Sequence, residues 1–111
     1  MWLSRVTKTD LKVGLFEERI LDACEAMIDE NHQGWMAYLK DKTIEDLEES
    51  IEFMGAWENP PSKRRMAIED ALIHIINHSS YHRGQIVVHI KGKVEELPLS
   101  TYIMYASVVL G

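Results

Sequence analysis

His74, His78 and His82 stand four residues apart in the segment HIINHSSYHRGQ, residues 74–85, and make up three of the chain's five histidines. Neutral imidazole is a common transition-metal ligand, and rings at i and i+4 of a helix lie one turn above each other on the same side. Two of the three can therefore turn their nitrogens to one ion without bending the backbone. All three cannot, because the eight residues from the first ring to the last rise about 12 Å along the helix. A metal held by such a pair still needs a further ligand, and histidines satisfied by hydrogen bonds in a core or on a surface compete with the metal reading.

The element that must position these rings is a helix running from Ala67 or Ile68 to Lys91, with Gly92 placed as its C-terminal cap. At about 100° per residue, His74, His78, His82, Gln85 and His89 fall within an arc of about 80°. Ile68, Leu72, Ile75, Ile86 and Ile90 fill the adjoining arc, so the histidines are expected to border packed surface. Ile73, Ile76, Val87 and Val88 carry apolar character farther round, which places the helix centrally or at an interface. Buried imidazoles along one stripe would repel if protonated, and a shared cation keeps them neutral. His89 lies too far along the helix to join the ion of His78. His32 sits in a different helical stretch, where a surface role is its default.

Upstream, Leu11, Leu15, Phe16, Ile20, Ala23, Met27 and Ile28 recur at three- and four-residue steps, as one helix face requires. Asp10 or Thr9 is a suitable N-cap, and the pattern resumes through Trp35, Met36, Tyr38 and Leu39 after an interruption at residues 31–34. The expectation is one long helix over residues 11–39, with residues 31–34 as the place for any bend. Thr43 with Asp46 three residues on resembles a capping box and predicts a short helix through Leu47. Ile51-Glu-Phe-Met and the stretch around Arg65-Met66 fit either two short strands or an extended loop closed by Asn59-Pro60-Pro61-Ser62, with too little alternation to choose strands. After Pro98, residues 99–110 are mostly apolar with Ser100 as N-cap, which predicts a final helix. The whole reads as a single all-α domain over residues 1–111.

Composition narrows the function classes. A chain of 111 residues, 46% apolar and 27% charged, suits one compact domain with a limited core. Its formal charge of −6, with only Lys63-Arg64-Arg65 clustered, offers no broad positive face to a nucleic acid. No apolar run approaches a membrane span, and the single Cys24 leaves no disulfide within the chain, so a cytoplasmic location is expected. Cys24, between Leu21 and Met27, reads as a buried, inert thiol. No Ser-His-Asp set, phosphate-binding glycine loop or catalytic carboxylate pair is present. Glu48-Glu49, Glu69-Asp70 and Glu95-Glu96 read as solvated charges.

The run from Asn77-His78 to Tyr81-His82-Arg83-Gly84-Gln85 resembles the signature near the last core helix of the DinB family. The order of the chain is similar as well. Trp2-Leu3-Ser4-Arg5 resembles the end of that family's second helix, residues 11–39 its third, residues 53–66 its irregular connection, and Leu97-Pro98-Leu99 the approach to its C-terminal segment. The resemblance implies an up-down-down-up four-helix bundle, commonly dimeric, that holds a divalent metal on three histidines with open positions. It places the i, i+4 ligand pair on His78 and His82, makes His74 a neighbour that supports them, and gives Gly84 the role of permitting close helix approach. Arg83 and Gln85 match the signature without an assigned step, and no catalytic residue is named.

The family's third ligand precedes the tryptophan that Trp2 resembles, so the resemblance implies a shortened bundle lacking the first helix and most of the second, with two of three ligands. A partner subunit, another residue or water then completes the site, or the metal is lost. The apolar faces so uncovered imply a homodimer or higher homo-oligomer. The implied activity is that of a metal-dependent thiol S-transferase or related hydrolase. A divalent Zn, Ni or Fe ion, bound weakly or absent, would act on a low-molecular-weight thiol. The alternative is a non-catalytic oligomeric helical scaffold or small-molecule-binding module. Neither nucleic acid nor membrane is an expected partner.

Overall fold

The computed structural model describes residues 1–10, 14, 17–55, 58–97 and 106–110. Its elements follow the order α1 (Trp2–Thr7), α2 (Leu21–Leu39), α3 (Ile44–Glu48), β1 (Ser50–Met54), β2 (Lys63–Ala67) and α4 (Ile68–Ile90). The chain divides into two compact units, Met1–Ile73 and His74–Gly111.

The all-α expectation is corrected by the two-stranded antiparallel sheet of β1 and β2 in the first unit. Ile51 faces Met66, Glu52 faces Arg65 and Phe53 faces Arg64 across the ladder. The connection is tied by Gly55 N donating to Ser62 O at 2.9 Å, and by Glu58 accepting from Ser62 and Arg64. The strands were hard to read from sequence because KRRMA has almost no alternation of its own. Cross-strand charge pairs and one inward face supply what β2 lacks alone.

Glu52 accepts from Arg65 Nη2 at 2.7 Å and is also paired with Lys63. Hydrogen bonds from Lys63 and then Arg65 hold its carboxyl at about 2, well below the ordinary value of 4.5. A depressed folded value adds stability that is complete above the unfolded value and is lost as pH falls through the folded one. The thermal midpoint of the wild type is therefore expected to exceed that of Glu52→Gln above pH 4.5, and the gap to close as pH drops toward about 2. A gap that stays constant over that window in paired melting curves would contradict the ion-pair account.

Helices follow local signals more closely. Thr43 Oγ1 accepts from Asp46 N at 3.2 Å and Asp46 Oδ2 accepts from Thr43 N at 2.8 Å, completing the expected capping box of α3. The bond from the Thr43 amide holds the Asp46 carboxyl below its ordinary value. Gly92 adopts φ 78° just beyond α4, as its predicted capping role requires. The long helix expected over residues 11–39 is corrected at its start, whereas its continuation past residues 31–34 as one helix is as expected. It begins at Leu21 behind Ile20, which offers no side-chain cap, and then runs unbroken through Gly34 to Leu39. Leu11, Leu15 and Phe16 lie outside the described residues, as does most of the predicted final helix; Ser107 to Leu110 are not helical.

The first unit's core is small: Val6, Ile51, Ile68 and Ala71 are buried, with Trp2, Leu3, Trp35, Tyr38, Leu47, Phe53, Met66 and Leu72 packed around them. Arg5 fastens α1 to β1, its guanidinium lying 4.4 Å from the Trp2 ring centre and 4.5 Å from that of Phe53. Burial among these rings pushes the Arg5 value down. Gly34 lets α1 and α2 meet, since a Cβ there would stand 2.4 Å from Leu3 Cδ2. Cys24 is a free, half-buried thiol on α2, and His32 is exposed on the same helix.

Candidate metal centre

Every residue of the candidate centre lies on α4 within the second unit, so its geometry is that of one helix. Ile68 and Ala71 are the only buried residues of α4 among those described, and both belong to the first unit. From His74 onward the helix carries no buried side chain, and His74, His78, His82, Gln85 and His89 are all exposed. The expectation that the histidines border packed surface is thereby corrected. Hydrophobic periodicity shows which side chains could be covered, whereas covering them takes a neighbouring element.

The rings converge nonetheless. His78 Nε2 and His82 Nε2 stand 3.0 Å apart, with ring centres at 4.4 Å and planes at 83°. His74 lies against the other side of the pair, stacked on His78 at 5.1 Å and 17°. Two nitrogens bound at about 2.05 Å to one ion are separated by about 2.9 Å at a right angle and about 3.3 Å at a tetrahedral angle. The observed separation falls inside that span and equally suits a hydrogen bond between one N–H and one lone pair. The spacing is one that two ring ligands of a transition metal would also show. No group of three His, Cys, Asp or Glu side chains able to hold an ion is found among the described residues.

Gln85 and Tyr81 extend the pair into a chain of contacts. His82 Nδ1 donates to Gln85 Oε1 at 3.0 Å, and Gln85 Nε2 donates to Tyr81 Oη at 3.0 Å. Sequence reasoning placed Gln85 on the histidine stripe yet gave it no chemical step. The signal available was spacing, since Gln85 is three residues from His82 and four from Tyr81, the two distances that meet on a helix. Arg83 Nη2 donates to Ser80 Oγ at 2.9 Å, and Ser80 Oγ donates in turn to Ile76 O at 3.0 Å, which directs both away from the rings' shared edge.

An open cleft of about 550 Å³ is lined by Ser80, Tyr81, Gly84, Gln85, Val88 and His89. It shares Tyr81 and Gln85 with the histidine network. Gly84 was expected to admit a closely packed helix, but apart from its chain neighbours and the backbone of its own helix no described atom lies within 4 Å of the Cβ position there. His89 lies on this cleft and takes no part in the His78–His82 contact.

No helix among the described residues is long and apolar enough to cross a membrane. No curated protein and no solved structure matches the chain. The family model described as DinB family matches residues 2–96, which include both strands, all four helices and the whole histidine segment. Covered over most of its length by that match, the chain belongs to the DinB family.

Proposed function

We propose that this DinB protein binds a divalent metal through His78 and His82 and acts as a metal-dependent thiol S-transferase or related hydrolase. The observation that carries the reading is the 3.0 Å approach of two Nε2 atoms on one helix turn. His82 and His78 hold the ion from one side, His74 limits the swing of the His78 ring by stacking on it, and the exposed edge of the pair leaves room for further ligands. When bound, the ion supplies Lewis acidity that lowers the pKa of a coordinated thiol or water. The cleft beside Tyr81 and Gln85 offers a place for a low-molecular-weight thiol next to that edge. Zn, Ni and Fe all suit imidazole donors. The lone cysteine fits a cytoplasmic setting.

A second copy of the chain is the proposed partner. Ile73, Ile76, Tyr81, Ile86 and Val88 of α4 are all more than half exposed, which is unfavourable for a helix left bare in water. The same observation favours a second reading, an oligomeric helical scaffold whose histidines serve only in hydrogen bonds.

Elemental analysis of tag-free protein prepared without chelator separates the two. Near-stoichiometric metal in the wild type that disappears in His78→Ala and in His82→Ala is the expected result. A wild type that holds no Zn, Ni or Fe after loading and gel filtration overturns the metal reading. Light scattering at low micromolar concentration is expected to give the dimer mass, and a monomer there would overturn the self-association.

A further inference from the structure

We infer that Gln85 is a positioning residue that sets the tautomer of His82, placing the ring proton on Nδ1 and leaving the lone pair on Nε2, the nitrogen that faces His78. The metal arm of this inference rests on the function proposed above. The tautomer arm does not.

The argument starts from what an amide oxygen can do. Gln85 Oε1 has lone pairs and no proton, so its 3.0 Å contact with His82 Nδ1 requires Nδ1–H. A neutral imidazole carries a single N–H, and Nε2 of the same ring is then an acceptor or a ligand. The amide is held from its other end, because Gln85 Nε2 donates to Tyr81 Oη at 3.0 Å. Tyr81 in turn lies beside both rings of the pair, 6.3 Å from His78 and 5.5 Å from His82 between ring centres. The contacts Tyr81 to Gln85, Gln85 to His82 and His82 to His78 have spacings of four, three and four residues, so α4 alone builds the whole relay.

A histidine ligand needs its second nitrogen held for two reasons. The bond chooses which nitrogen is free, and it stops the ring rotating out of the binding direction. His82 is exposed, so no packed wall performs either task. Without Gln85 the ring would be free to place its proton on Nε2, where a proton and a metal are mutually exclusive. The role requires an acceptor at the Oε1 position. It does not require an amide as such.

The test uses the full-length chain, its Gln85→Leu variant, which keeps bulk but removes the acceptor, and its Gln85→Glu variant, which keeps an oxygen at the same reach. Long-range ¹H–¹⁵N spectra of metal-free, ¹⁵N-histidine protein, at mildly alkaline pH where an ordinary imidazole is neutral, read the tautomer of His82. The expected result is Nδ1–H in the wild type and in Gln85→Glu, and a shift toward Nε2–H in Gln85→Leu. Competition with a chromophoric chelator then reads Ni(II) affinity, expected to fall about 10–100-fold in Gln85→Leu, the usual cost of losing a bond behind a ligand, and to be restored in Gln85→Glu. A residue that merely supports the helix would lower affinity alike in both variants and lower helix content by circular dichroism with it. That outcome, or a wild-type His82 protonated on Nε2, overturns the inference. A wild type that binds no Ni(II) overturns the proposed metal function instead, while the spectra still decide whether Gln85 sets the tautomer.

Discussion

His82→Ala, and separately His78→Ala, should lower Ni(II) or Zn(II) affinity by about 100-fold or more, beyond the 10–100-fold that a change behind a ligand typically costs. The reason is the thinness of the donor set. His78 and His82 bring ring nitrogens within 3.0 Å of each other, no group of three His, Cys, Asp or Glu able to hold an ion is found among the described residues, and one remaining imidazole cannot hold an ion against bulk water. The double variant should accordingly be little worse than either single one, because the two ligands act as a unit and their losses do not add. His74→Ala should behave differently. It removes a ring stacked at 5.1 Å and leaves both nitrogens of the pair in place, so its effect on affinity should be several-fold at most. Isothermal titration with each metal ranks the four variants against the wild type, and His78→Ala and His82→Ala proteins that retain wild-type affinity would remove the site from these residues.

Ile51→Ala is expected to cost about 2–5 kcal/mol of stability, the range for deleting a large aliphatic side chain from a packed core. Ile51 is 3% exposed and packs with Val6, Ile68 and Ala71, the only other buried hydrophobic residues among those described. It also faces Met66 across the β1–β2 ladder, so the cavity opens where the sheet meets the start of α4. With so few residues sharing the load, relaxation around the cavity is limited, and domains of ordinary stability have about 5–15 kcal/mol to lose. Urea denaturation followed by tryptophan fluorescence suits the measurement, because Trp2 and Trp35 pack against this core. Ile76→Ala provides the contrast: Ile76 is 65% exposed, and its loss should fall within about 0.5 kcal/mol unless a second copy covers it. An Ile76→Ala cost rising with protein concentration would therefore place that side chain in a dimer contact.

The two substitutions probe parts of the chain that were unequally legible in the sequence. The ring convergence at His78 and His82 could be read from spacing, since a regular helix dictates which side chains lie one turn apart whatever surrounds it. The capping box at Thr43 and the terminating Gly92 were legible for the same reason: each is complete within a few residues. The sheet was not. Ser50–Met54 and Lys63–Ala67 are separated along the chain, and β2 shows its inward side only when Ile51 and Phe53 of β1 lie opposite it. The start of α2 was misread as well, because apolar spacing continues upstream of Leu21 although Ile20 is 73% exposed and the residues from Glu17 to Ile20 are not helical.

By itself, then, the amino-acid order determined the α4 helix and the stripe of histidines along it, because both depend on contacts no farther than four residues away. Tertiary structure alone decided that β1 and β2 pair, that Ile51 rather than Ile76 is buried, and that the imidazoles lie exposed. Burial and strand pairing require partners brought together from distant parts of the chain, and no local period specifies which partners arrive.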